Sequence, residues 1–124
     1  MTLANPWREG SSSPKTKSIV ARAFQAGALF GSGAACLLLG RYEEATAFVR
    51  RLLLLSPNDI RGLFILTGSA LFGGKLAEAE ETVARIKQLF PHLRSSQLRR
   101  AYRVRKPEHM AIVERMIARI SLPE

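Results

Sequence analysis

The chemistry open to this 124-residue chain has to come from few side chains. Cys36 is its only cysteine, His92 and His109 are its only histidines, and Asp59 is its only aspartate, the other nine acids being glutamates. Paired aspartates, which hold the ions in many two-metal phosphoryl and nucleotidyl transfers, are therefore missing. The two histidines have no cysteine or aspartate nearby, so no metal site is expected. Cys36 stands among Ala34, Ala35, Leu37 and Leu38, surroundings that favour a buried, inert thiol over a nucleophile. Gly31-Ser32-Gly33 starts like a dinucleotide-binding turn but lacks the third glycine and a preceding strand. Gly73-Gly74-Lys75 has Ser69 and Leu76 where a phosphate loop needs a glycine and a magnesium-binding hydroxyl. No catalytic constellation and no cofactor is expected, and the chain reads as a non-enzyme. A single cysteine also precludes an internal disulfide and fits a reducing, cytoplasmic setting.

Charge leaves one further class of chemistry, the binding of anions. The net charge is +9. It divides as +3 over residues 1–25, +1 over 26–93 and +5 over 94–124. Arg99, Arg100, Arg103, Arg105 and Lys106, with Tyr102 interleaved, form a possible anion-binding segment that can grip a nucleic-acid backbone or stack a base. A small basic nucleic-acid-binding protein using residues 94–106 is thus the alternative reading. The favoured one is a solvated linker between capping helices, because no nucleic-acid fold signature accompanies the patch.

The elements that position these side chains show in the apolar pattern. Residues 1–17 hold two prolines, a glycine and a serine run, and read as a flexible basic arm in which Trp7 is the one candidate anchor. Residues 23–40 carry no charge, yet four glycines, a serine and a glutamine dilute them, and neither a membrane span nor a secretory or lipoprotein signal is expected. Compared with itself at an offset of 34, the chain matches at Phe30/Phe64, Leu37/Leu71, Gly40/Gly74, Glu44/Glu78, Ala45/Ala79, Val49/Val83, Arg51/Arg85, Leu55/Leu89 and Pro57/Pro91. Gly40 and Gly74 can end a first helix with a positive φ, and Pro57 and Pro91 follow a second helix that they cannot extend. Ala45 and Ala79 are small where the two helices of a unit approach most closely. After Pro91 the pattern stops. A short helix from about Ser96 to Tyr102 and a longer one opened by Pro107 are expected there, the latter with Met110, Val113, Ile117 and Ile120 on one face.

On Gly33, Gly40, Tyr42, Ala45 and Pro57 in one unit, and Gly74, Ala79 and Pro91 in the next, the chain resembles the tetratricopeptide repeat family, whose unit is a 34-residue helix-turn-helix. Leu29 and Leu63 stand where that family has a large aromatic, and Thr67 where Gly33 sits one unit earlier. The resemblance implies an all-α solenoid over residues 18–93, with two hairpins at 26–59 and 60–93, closed by capping helices over 94–124. It also implies a concave face lined by the first helix of each unit. Phe30, Leu37, Phe64, Leu71 and Phe72 fall on that face and are the expected contacts for a protein or peptide partner or a second copy of the chain, unless further repeats or the chain's own basic N-terminal helix cover them. Leu89-Phe90-Pro91, Arg105-Lys106-Pro107-Glu108 and Ser121-Leu122-Pro123-Glu124 further resemble the tail of repeat regions appended to bacterial class III adenylate cyclases or winged-helix regulators. That likeness implies the C-terminal part of a longer protein.

Overall fold

The computed structural model describes residues 14–124, and in them the chain is all helical. Six helices follow in order: α1 (Pro14–Leu38), α2 (Tyr42–Leu55), α3 (Ile60–Phe72), α4 (Leu76–Leu89), α5 (Ser95–Ala101) and α6 (Pro107–Ile120). α1 packs on α2, α2 on α3 and α3 on α4; α1 and α3 also lie side by side, and α6 lies against α3. The first four helices are two stacked hairpins, and the last two cover them. Among the described residues no helix is long and apolar enough to cross a membrane.

The turns inside the two hairpins are built alike. Gly40 (φ 79°) and Gly74 (φ 80°) adopt the left-handed backbone that ends α1 and α3. Next to them the Arg41 N–H donates to the Cys36 carbonyl, and the Lys75 N–H to the Ala70 carbonyl, each at 2.8 Å. These bonds satisfy carbonyls that a helix end leaves open. Ala45 and Ala79 are fully buried, as their small size at the helix crossing requires. Gly33 serves the same crossing from α1, since a Cβ there would lie 2.8 Å from Val49 Cγ1. Asp59 caps α3 by accepting from the Arg61 N–H at 3.0 Å.

One boundary differs from expectation. Pro14 to Lys17 are helical instead of belonging to the arm, and α1 is 25 residues long. Proline suits the first turn of a helix, where its missing N–H would have had no partner. Trp7 lies outside the described residues. At the other end α6 opens at Pro107 as the sequence implies, and buries Val113, Met116, Ile117 and Ile120, while Met110 is only half-buried. The tail closes back on α5: the Ser95 N–H donates to the Pro123 carbonyl at 2.8 Å and the Ser95 hydroxyl to the Leu122 carbonyl at 3.1 Å.

Candidate functional site

A half-open apolar cavity of about 200 Å³ lies on the shared face of α1 and α3. α1 supplies Phe30, Ala34, Leu37 and Leu38, and α3 supplies Phe64 and Ile65. α6 adds Val113 and Met116, and residues 101–104 form one wall. The helical spacing of Phe30, Ala34 and Leu37 turns all three to one side of α1, which is why a single helix lines so much of the space.

Tyr102 is the closing wall. Its ring stacks on Phe64 at 4.5 Å between centroids and tilts against Phe30 at 5.9 Å. Burial, with a smaller push from the Asp59 carboxylate, raises the Tyr102 phenol to about 12. The Arg61 guanidinium lies 5.8 Å from the centre of the Phe30 ring and pairs with Asp59 through two contacts, 2.7 Å from Nη2 to Oδ2 and 3.0 Å from Nε to Oδ1. The Arg61 hydrogen bonds hold Asp59 below the usual carboxylate range. Chemically the cavity offers dry packing surface, an aromatic wall and a basic lip at Arg103. Apart from Tyr102 and Arg103 its lining is apolar, and it can hold an apolar side chain. Among the described residues no group of three His, Cys, Asp or Glu side chains stands close enough to hold a metal ion.

The five residues expected as partner contacts do not share one open face. Leu37 and Phe64 are 2% and 1% exposed and belong to the core, because α6 and the 102–104 segment cover them. Leu71 is half-buried. Phe72 packs elsewhere, against Tyr42 at 6.0 Å and under the Arg115 guanidinium at 4.8 Å. Phe30 alone stays half-buried at the cavity. The repeat positions are structural: Tyr42 opens α2, and the Pro57 carbonyl after α2 accepts from Arg85 at 3.1 Å, while Pro91 is an exposed residue after α4. Cys36 is half-buried instead of buried, its thiol 3.8 Å from a Glu44 carboxylate oxygen.

The basic segment splits as well. Arg99 is engaged, with Glu114 at 2.6 Å and Glu124 at 3.2 Å. Arg100, Arg103, Arg105 and Lys106 are exposed, and only Arg103 reaches the cavity. Sequence reasoning missed Tyr102, Val104 and Met116 as lining residues. A signal for the first two was present: in Tyr102-Arg103-Val104-Arg105 apolar and basic residues alternate, and Tyr102 and Val104 are half-buried while both arginines are exposed. Comparison with protein-family models, with curated proteins and with solved structures gives no match to this chain.

Proposed function

We propose that the chain is a non-enzymatic protein-interaction module of the tetratricopeptide-repeat kind, whose cavity receives an apolar side chain from a partner peptide. The observation that carries this reading is the cavity itself. An apolar space of about 200 Å³ stays half open at the meeting of α1, α3 and α6, where it borders the hydrophobic core. Seating one leucine or phenylalanine there is worth about 1.5 to 3 kcal/mol, enough for roughly a tenfold gain in affinity. The likeness of the tail to repeat regions of adenylate cyclases and winged-helix regulators supports a module that serves a larger cytoplasmic protein.

Peptide display on the full chain tests this. Ala34→Phe fills the cavity from a position that already lines it, so selected peptides should bind the parent chain and lose about tenfold or more on this variant. A selection that enriches nothing, or peptides indifferent to Ala34→Phe, overturns the reading. A second reading has one observation in its favour, the four exposed bases Arg100, Arg103, Arg105 and Lys106. It requires tight DNA or RNA binding at near-physiological salt that disappears when Arg100, Arg103 and Arg105 are replaced together.

A further inference from the structure

We infer that the first hairpin has a second docking face, on α1 and α2, for the C-terminal end of a helix from another protein, one that carries an arginine and, three residues on, a leucine. The chain displays this mode of docking once already, between its own two hairpins. There α2 lies against the second hairpin through three anchors. Arg50 pairs with Glu78 of α4. Leu53 packs on α3 at Gly62, where a Cβ would lie 2.9 Å from Leu53 Cδ2. The turn after α2 is held by Arg85 of α4, which donates to the Pro57 carbonyl at 3.1 Å and to the Asn58 side-chain oxygen at 3.2 Å. Glu78 and Arg85 are seven residues apart, two turns of helix, and so stand on one side of α4.

At the 34-residue offset the first hairpin keeps this receiving set. Glu44 and Arg51 stand in α2 where Glu78 and Arg85 stand in α4, and Leu29 and Leu55 where Leu63 and Leu89 stand. Ala28 replaces Gly62, which sets an incoming side chain outward by one methyl group. Gln25, Ala28 and Leu29 of α1 and Arg51, Leu54 and Leu55 of α2 line an open depression. Leu63 is 1% exposed in the occupied hairpin, whereas Leu29 is half-buried and Leu54 is 84% exposed. Among the described residues Arg51 has no hydrogen-bond or ion-pair partner, and Glu44 meets Arg41 of its own turn at 3.7 Å and the Cys36 thiol. The first hairpin thus holds the two charged anchors and the apolar floor of a helix that it lacks. None of these residues lines the cavity, so this face and the cavity can fail independently.

Charge and shape choose the occupant. Glu44 calls for a base, the floor at Leu29 for an apolar side chain about one turn further on, and Arg51 for carbonyl oxygens of the kind that a helix leaves open at its C-terminal end. A second copy does not supply them. In α4, its equivalent of α2, Ala84 stands for Arg50 and Lys87 for Leu53, which leaves Glu44 without the arginine and sets a lysine against Leu29. Its α2 has Arg50 and Leu53 engaged within the copy. The occupant is therefore a helix of a different protein.

The test uses the full chain and a fluorescein-labelled synthetic peptide of residues 42–59, with glutamine in place of Val49 and Leu52, which are buried within the chain. Fluorescence anisotropy should show binding that falls about tenfold or more when the peptide carries Leu53→Ser. It should fall about threefold or more when the chain carries Glu44→Lys or Arg51→Glu, both at exposed positions. Joining the Arg50→Glu peptide to the Glu44→Lys chain should restore it, which fixes the register. Leu76→Ser, at an exposed apolar residue on α4, should leave it unchanged. No binding, indifference to both chain variants, or no restoration by the paired reversal overturns the proposal. Loss confined to Ala34→Phe also overturns it, by placing the peptide in the cavity, and leaves the interaction module standing. A dimer of the chain in sedimentation that Glu44→Lys dissociates makes a second copy the occupant and overturns it as well.

Discussion

α1 and α3 hold the same place in successive hairpins, and the 34-residue offset sets Phe30 opposite Phe64 and Gly31 opposite Ile65. Their burial is nonetheless unlike. α3 is buried without a break from Gly62 to Ala70, while the equivalent stretch of α1 buries only Gly33 within a run of half-buried and exposed residues. Their starts differ too. α3 begins at Ile60 under the Asp59 cap, whereas at that register α1 has Gln25 and Ala26 and runs on without interruption from Pro14. α3 is enclosed by α1, α2, α4 and α6, and α1 has one flank with no described neighbour. Depth of burial in a helical stack thus follows from place in the stack, even where two helices share a repeat register.

The sharpest way to break this comparison is to truncate the paired phenylalanines. Phe64→Ala should cost about 3 to 5 kcal/mol, the usual range for a buried aromatic, and Phe30→Ala about half of that, because Phe30 is already partly in solvent. Urea denaturation of both variants decides it; equal costs would mean that α1 is as enclosed as α3. Where the hairpins are alike, effects should be alike. Ala45→Leu and Ala79→Leu each force apart a closed helix crossing and should each lower stability by about 1 to 3 kcal/mol in the same denaturation series. A large cost in one hairpin with none in the other would break the common register.

Tyr102 joins the two helices, and alkaline titration isolates its part. Its folded value of about 12 lies above the ordinary 10.0, so its contribution is complete below pH 10 and is lost as the pH rises from 10 toward 12. That loss amounts to about 2 kcal/mol and should be absent from Tyr102→Phe when the two stability profiles are subtracted. Profiles that run parallel across this window would place the phenol in solvent.

The smallest effect reverses sign within α1. Gly31→Ala should raise thermal stability by about 0.5 to 1 kcal/mol, because its Cβ enters open space on a helix that glycine weakens, while Gly33→Ala should lower it through contact with Val49. Stabilisation by both would mean that α2 yields readily at Gly33.

Much of the hairpin pair was legible in the sequence because its devices are local. Gly40 and Gly74 supply the positive φ, Ala45 and Ala79 permit close crossings, and Pro107 opens a helix, each within its own turn of chain. The overhang of α1 was hidden because a serine run and a proline read as arm, although the proline stands where a helix accepts one. The covered face was hidden for another reason. α6 seats on α3 where a Cβ on Gly68 would lie 2.6 Å from Met116 Cε, and that fit joins distant parts of the chain with no periodic trace in either. The apolar character of Leu37 and Phe64 was therefore readable, but not whether a partner or the chain's own sixth helix covers them.

The seating of Met116 on Gly68 also bears on how the chain meets an oxidant. Met116 is 1% exposed, so peroxide reaches its sulfur through the cavity that it lines or when α6 lifts away, whereas half-buried Met110 in the same helix is more open to attack. The rate of sulfoxide formation at Met116 relative to Met110 therefore reports how open the cap and the cavity are. A Cβ on Gly68 would already lie 2.9 Å from the Met116 sulfur, so an oxygen added to that sulfur enters a tightly filled notch, and each oxidation should hinder the reseating of α6.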